Sequence, residues 1–288
     1  MTSPPFTETA RAKINLTLRV IGRRADGYHE LESLVAFADL ADTLTLSPAP
    51  ATTLEVRGRF AQQSGAPADN LVLKAAAALS ALVPGLTGGR FQLDKQIPAA
   101  AGIGGGSADA AAALRLLARA NGLAADDARL MTAALSVGAD VPVCLASRAC
   151  VMTGVGERLS PPLTLPALHA VLVNPGVAVA TRDVFAAFAR TEPAQRGHLG
   201  TVPLMPPALT EFLNIHGNDL TGAAIACAPV IGDVLAALRE MPGVLLARMS
   251  GSGATCFALF PSTEAAASAA SALHSEHQAW WVVPATIS

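Results

Sequence analysis

The stretch Pro98-Ala99-Ala100-Ala101-Gly102-Ile103-Gly104-Gly105-Gly106-Ser107-Ala108-Asp109 constrains the chain more than any other. Before it, Phe91-Gln92-Leu93-Asp94-Lys95 alternates apolar and polar residues and reads as a strand. After it, the alanine- and leucine-rich run Ala110 to Ala120 reads as a helix. Four glycines in the five residues Gly102 to Gly106 therefore lead into a helix start. The first N–H groups of a helix have no internal partners, and its dipole makes that end partly positive. Glycines permit positive φ and let a ligand come close to the backbone. That combination cradles phosphate, and the residues leave a plain strand–helix turn as the alternative. A Walker A loop needs Gly-Lys-Ser/Thr at the helix start, and no lysine follows Lys95. The dinucleotide pattern G-x-G-x-x-G fails as well, because counting from Gly102 its last position is Ser107. Any cation at the phosphates has to come from outside the loop.

The 288 residues suit two medium domains or one large one. With 51% hydrophobic and 15% charged residues, core material is ample and disorder is excluded as a description of the chain. A formal net charge of -2 provides no electrostatic footprint for nucleic acid or an anionic membrane. Lys13, Lys74 and Lys95 are the only lysines, so each invites a question. Cys144, Cys150, Cys227 and Cys256 form no C-x-x-C pair, and they read as small core hydrophobes of a reducing compartment. Met1 to Glu8 lacks an apolar signal core. The alanine-rich runs are broken well before membrane-spanning length. The expected location is cytoplasmic.

Along the chain, Ala12 to Val20 alternates as one half-buried strand. Lys13, Asn15, Thr17 and Arg19 share its polar face, so an ammonium and an amide stand two positions apart, either holding a polar ligand or facing solvent. Asp26-Gly27 marks a turn, followed by Tyr28, the single tyrosine, and His29. This pair can stack on a flat ring and bond its edge, or the ring can pack over the turn. Leu34 to Phe37, Asp42 to Leu46 and Leu54 to Arg57 read as strands. Leu71 to Val83 reads as a helix capped by Asn70 or Asp69 and stopped by Pro84-Gly85. Ala125 to Val137 is a further helix with Asp126 and Asp127 in its first turn, and Val143 to Met152 a buried strand. Asp140 lies in the turn Gly138-Ala139-Asp140-Val141-Pro142, where a carboxylate can accept a hydroxyl proton or serve as an Asx cap.

The proline-rich run Leu159 to Pro166 reads as the junction of two halves, 1–160 and 161–288. Beyond it, Leu168 to Val173 is a strand and Asn174-Pro175-Gly176 a turn. Thr181 to Arg190 is a short helix with Thr181 as N-cap, and Thr191 to Pro207 a loop. Asn218-Asp219-Leu220 caps a helix, and Val230 to Met241 is an amphipathic one. Val244 to Met249 and Thr255 to Phe260 are strands around a second glycine loop, Ser250-Gly251-Ser252-Gly253-Ala254. A helix over Thr263 to His274 and a strand over Trp280 to Val283 end an α/β alternation.

Ala12-Lys13-Ile14-Asn15-Leu16, Pro98 to Ala108 and Met249 to Ala254 come in an order that resembles the GHMP superfamily, that is, galactokinase, homoserine kinase, mevalonate kinase and phosphomevalonate kinase. Arg24-Ala25-Asp26-Gly27-Tyr28-His29 and Gly138 to Pro142 narrow the resemblance to its members that act on a cytidine-diphosphate-linked alcohol. The likeness runs over almost the whole chain. It implies a two-domain α/β (α+β) fold, with a ribosomal S5-like ATP-binding first half and a ferredoxin-like second half. It also implies ATP-dependent phosphorylation of a substrate hydroxyl, with magnesium accompanying ATP.

By the resemblance, Lys13 and Asp140 match the catalytic pair. Pro98, Ala99, Ala100, Ala101, Gly102, Ile103, Gly104, Gly105, Gly106, Ser107 and Ala108 match the ATP loop. Tyr28 and Phe185 match an aromatic clamp on cytosine, His29 the group that reads the base edge, and Asn15 and Thr181 polar substrate contacts. Ala108 stands where the family often has a second serine near the metal, so the protein ligands of magnesium stay open. Asp109 reads as a complement to the helix dipole rather than a metal ligand. Rival readings are a mevalonate- or homoserine-type kinase, a non-catalytic RNA-binding S5-like module, and a nucleotide-binding regulator.

Overall fold

In the computed structural model, which describes residues 4–25, 27–190 and 198–288, the chain runs β1 (Phe6–Asn15), β2 (Arg19–Arg23), β3 (His29–Pro48), β4 (Thr53–Arg57), α1 (Leu71–Leu82), β5 (Gly89–Asp94) and α2 (Gly105–Ala120). It continues through α3 (Ala128–Val137), α4 (Val141–Ala146), β6 (Cys150–Gly154), β7 (Arg158–Leu159), β8 (Leu168–Asn174), α5 (Thr181–Phe188) and α6 (Pro206–Ile215). The last elements are α7 (Thr221–Cys227), α8 (Val230–Glu240), β9 (Leu246–Met249), β10 (Cys256–Phe260), α9 (Thr263–Glu276) and β11 (Trp281–Ile287). Three expectations fall wholly or partly outside the described residues: Met1–Ser3 of the N-terminal segment, Asp26 of the expected turn, and 191–197 of the loop expected over 191–207.

Two compact units are assembled from interleaved segments. The first takes Met1–Lys13, Leu40–Ala99 and Gly104–Ser147; the second takes Ile14–Asp39, Ala100–Ile103 and Arg148–Ser288. These units do not coincide with consecutive halves meeting at residue 160, because β3 and the first glycine loop each give residues to both.

In the first unit β4 runs parallel to β5, from Thr53 opposite Arg90 to Arg57 opposite Asp94. A parallel pair needs a long crossover, and α1 supplies it. β5 pairs antiparallel with the second half of β3. Asn70 caps α1, its Oδ1 accepting from Val72 N at 3.0 Å. Leu44, Leu46, Phe91 and Leu93 from the strands and Val72, Leu79, Leu114 and Leu117 from the helices are buried. Their burial is the main stabilising contribution, about 25 cal/mol per Å² of apolar surface removed from water.

In the second unit the first half of β3 pairs antiparallel with β2 and β6. β8 lies between β11 and β10, antiparallel to both, and β9–β10 form a hairpin around the second glycine loop. Val171, Val173, Val184, Ile231, Leu235 and Leu273 belong to its core.

Several expectations are corrected. The strand expected over Ala12 to Val20 ends at Asn15 and resumes at Arg19. Its polar face is buried, with Lys13 at 4%, Asn15 at 1% and Thr17 at 0% exposure, because each of the three finds a side-chain or main-chain partner. The strands expected at Leu34 and Asp42 are one strand, β3. No Gly or Pro interrupts the intervening Ala38-Asp39-Leu40-Ala41.

The helix expected from Ala110 begins at Gly105, since Gly104, with φ 64, makes the turn instead. α3 starts at Ala128, with Asp127 as its N-cap accepting from Arg129 N. The strand expected over Val143 to Met152 is α4 followed by β6. Pro142 sits in the first turn of α4, where its missing N–H costs nothing.

Thr181 is the first residue of α5, and Ala180 is its cap. α6, unforeseen, opens on Pro206-Pro207, a helix-start signal inside the expected loop. Cys227 is exposed at the end of α7, whereas Cys144, Cys150 and Cys256 are buried as expected.

Candidate active site

In the first unit, β1 carries Lys13 at its buried end and Asp140 stands just before α4. Lys13 Nζ donates to Asp140 Oδ2 at 2.7 Å. The Lys13 side chain is 5% exposed and that of Asp140 36%, so the ammonium is held inside and the carboxylate faces outward. The Asx-cap alternative for Asp140 fails, because its side chain makes no capping bond. The backbone turn that presents it is closed by Val141 N to Gly138 O at 3.1 Å.

α2 begins in the same unit. Its first internal bond runs from Ala108 N to Gly104 O at 2.8 Å. The N–H groups of Gly105, Gly106 and Ser107 precede that bond and have no carbonyl inside the helix to meet. No side chain caps this end. A β-carbon at Gly104 comes 3.1 Å from Lys13 Cβ, so the cap residue lies directly against the lysine of the pair. The first unit thus sets a helix end suited to anions beside an ammonium–carboxylate pair. An acid that can receive a hydroxyl proton, next to a cation and main-chain donors, is equipped for phosphoryl transfer.

Lys95 lies beneath the same helix start. Its Nζ donates to Asp42 Oδ2 at 2.5 Å and to Asp109 Oδ2 at 2.7 Å, with all three side chains within 3% of full burial. Burial is the largest influence on Lys95 and lowers its pKa. The charges of Asp109 and Asp42 outweigh it and hold the ammonium above its ordinary value. Burial pushes the Asp109 carboxyl up to about 7, against the pull of Lys95. Asp109 therefore does not complement the helix dipole in the first turn, as expected; it faces Lys95 instead. Sequence reasoning missed Asp42, although lysine scarcity had marked Lys95.

In the second unit the middle of the first glycine loop lies against the second glycine loop. Thr255 N donates to Ala101 O at 3.1 Å, and Ser250 Oγ donates to Gly102 O at 3.2 Å. Gly102, with φ +75, allows this approach, since a β-carbon there falls 2.4 Å from Gly253 O. Ala100 adopts φ 50 without being glycine. Asn15 N donates to Ser250 Oγ at 3.1 Å and Asn15 Nδ2 to Ser33 Oγ at 2.8 Å. Asn15 Oδ1 is buried without a hydrogen-bond partner. Asn218 Nδ2 donates to both Met249 O and Gly251 O at 2.8 Å, a support for the second loop that the sequence did not reveal.

The aromatic residues are also in the second unit. His29 stacks on Phe185 with centroids 4.9 Å apart and planes at 25°. Tyr28 is 66% exposed. Burial, then the charge of Arg23, lowers the His29 pKa below the ordinary imidazole value. Thr181 Oγ1 lies 2.9 Å from Ser252 Oγ.

The family model for the GHMP kinases N terminal domain matches residues 70–148, and that for GHMP kinases C terminal matches residues 205–279. The chain is 58% identical to a 4-diphosphocytidyl-2-C-methyl-D-erythritol kinase of Rhodopseudomonas palustris strain ATCC BAA-98 / CGA009, over 98% of this chain and 97% of the relative. A protein of that description from Bradyrhizobium sp. strain BTAi1 is 55% identical over 100% and 98%. Among solved structures, a 4-(cytidine 5'-diphospho)-2C-methyl-D-erythritol kinase superposes with a TM-score of 0.78 at 35% identity, covering 98% of this chain and 99% of the other. A homoserine kinase from Cytophaga hutchinsonii gives a TM-score of 0.72 at 20% identity over 98% and 94%, a likeness of fold alone.

Proposed function

The chain belongs to the GHMP kinase family, a two-domain α/β fold. From that premise we propose that it transfers the terminal phosphoryl group of ATP to the 2-hydroxyl of 4-diphosphocytidyl-2-C-methyl-D-erythritol, a step in isoprenoid precursor synthesis. It is an ATP-dependent small-molecule kinase. Identity above half over nearly the whole chain supports the specific substrate. The single structural observation that carries the reading is the 2.7 Å bond between Lys13 Nζ and Asp140 Oδ2 beside the start of α2.

Asp140 receives the proton of the 2-hydroxyl or orients that hydroxyl. Lys13 keeps the carboxylate ionised and offsets the charge that develops on the transferred group. The stretch Pro98 to Ala108 holds the triphosphate, with the N–H groups of Gly105, Gly106 and Ser107 as donors. His29, Tyr28 and Phe185 recognise the cytosine, while Asn15 and Thr181 take polar contacts with the rest of the substrate. The unpartnered Asn15 Oδ1 supports its share of that role. We assign the half before residue 160 as S5-like and the half after it as ferredoxin-like. The family-model matches to residues 70–148 and 205–279 support two consecutive domains.

Magnesium enters as part of magnesium–ATP. Among the described residues there is no group of three or more His, Cys, Asp or Glu that could hold an ion by itself. Magnesium in such enzymes keeps waters and substrate phosphates as ligands. No helix among the described residues is long and apolar enough to cross a membrane. The four unbridged cysteines support a reducing, cytoplasmic setting.

The test is direct. Purified protein is incubated with ATP and, separately, the cytidyl alcohol, mevalonate and homoserine, and phosphorylated product is measured. The reading expects turnover of the cytidyl compound alone. Phosphorylation of mevalonate or homoserine without the cytidyl compound overturns it.

A further inference from the structure

We propose that Lys95, Asp42 and Asp109 are positioning residues of the nucleotide loop, with the buried ammonium tying the segment that enters the loop to the helix that leaves it. The inference rests on the assignment of Pro98 to Ala108 to ATP.

All the contacts lie within the first unit. Asp42 Oδ1 accepts from Gln96 N at 2.5 Å and Ile97 N at 2.8 Å, so β3 fixes the two residues before Pro98. Asp42 Oδ2 accepts from Lys95 Nζ, and Lys95 Nζ reaches Asp109 on the second turn of α2. The helix start rests on this group: a β-carbon at Gly105 comes 3.1 Å from Ile97 Cγ2 and 3.2 Å from Lys95 Nζ. Both ends of a glycine-rich loop, whose backbone entropy is otherwise large, are thereby held by one cluster of charges.

The lysine is not a substitute for the Walker lysine. Two carboxylates compensate it, and the cluster carries net charge −1 when both are ionised and zero when Asp109 holds a proton. Asp109 Oδ1 is buried and has no hydrogen-bond partner. Around it, β3 brings Asp42 and the end of β5 brings Lys95. α4 brings Cys144, whose thiol burial pushes up to about 12, with Asp140 and Asp109 adding to the rise. Lys13 and Arg115 oppose that rise. On α1, Lys74 is half exposed and pairs with Asp69 at 3.9 Å. A neutral cluster under the start of α2 favours a triphosphate there, and an anionic one opposes it. The ATP complex therefore favours the protonated form of Asp109.

The experiment measures kcat and the KM values for ATP and for the cytidyl substrate from pH 6 to pH 8.5, in the parent protein and in Asp109→Ala, Asp109→Asn and Gly106→Val. Asp109→Ala is expected to raise the ATP KM tenfold or more while the other KM stays within twofold. Asp109→Asn, which keeps an oxygen for Lys95, restores the ATP KM to within threefold of the parent at pH 6 and flattens its rise with pH. An Asp109→Ala protein with an unchanged ATP KM, or with both KM values shifted alike, overturns the proposal. So does an Asn variant that keeps the parental pH slope.

Gly106→Val separates the two readings, because a β-carbon there meets only Leu71 Cδ1 at 3.5 Å, an ordinary contact. If it leaves the ATP KM unchanged, the ATP assignment of the loop fails and the proposal with it. If it raises that KM while Asp109→Ala does not, the loop assignment stands and the cluster proposal alone fails.

Discussion

Gly104 holds a left-handed backbone, φ 64, with its α-carbon turned toward Lys13, so that a β-carbon added there lies 3.1 Å from Lys13 Cβ and 3.4 Å from Cε. The residue that turns the chain into α2 and the lysine of the proposed catalytic pair are therefore adjusted to each other. Gly104→Ala has to place a side chain at positive φ, roughly 1–2 kcal/mol for an L-residue, and to displace Lys13. We expect a modest loss of thermal stability and a larger fall in kcat, read from a melting curve and steady-state kinetics on one preparation. Loss of stability with unchanged kcat contradicts the coupling.

Lys13→Met removes the ammonium that is paired with Asp140 and leaves a partly exposed carboxylate. Because the Asp140 side chain is 36% exposed, water can solvate it and the fold survives. The rate falls by about two to three orders of magnitude, in the range of a lost charge-stabilising group. Circular dichroism and single-turnover rates on this variant check both halves of the expectation.

Phe185→Ala removes the ring on which His29 stacks at 4.9 Å. Losing a stacking partner for a base costs about 1–3 kcal/mol, or roughly five- to 150-fold in KM for the cytidyl substrate. The ATP KM should stay within a factor of two. Equal changes in both KM values exclude a cytosine-specific role.

Asp109 links stability to pH. Burial raises its carboxyl from 3.8 to about 7, so between those values the folded chain holds a proton that the unfolded chain has released. Stability attributable to this group falls as pH rises through that window and is level above it. Asp109→Asn has no such loss. Its Tm advantage over the parent is expected to grow from pH 4 to pH 7 and then level off. A difference that stays constant across pH 4 to 8 contradicts the shift.

The parts of the molecule governed by local rules were legible in the sequence. Asn70 caps α1 as its position suggests, and Pro242-Gly243 follows the end of α8. The glycine loop does join a strand to a helix. Decisions made by distant partners were not legible. Alternation marked Lys13, Asn15 and Thr17 as one polar face, yet only their partners Asp140, Ser33 and Leu34 explain why that face is buried. Lys95 stood out as one of three lysines, but Asp42, 53 positions earlier, looked like the opening of an ordinary strand. Apolar residues from Val141 to Ala146 suit a strand as well as a short helix, and the tolerated Pro142 was the sole local sign of α4. The resemblance of five motifs in register identified the family, and physical pattern alone stopped at a phosphate-binding α/β protein.

The most direct test of the account is the single-turnover rate of Asp140→Asn with saturating ATP and cytidyl substrate, alongside the binding of each by calorimetry. The account predicts binding within a few-fold of the parent and a phosphoryl-transfer rate lower by about 10²–10⁴-fold, the contribution of a lost general base. A rate within tenfold of the parent, with both substrates bound, would show that Asp140 is not the group that receives the alcohol.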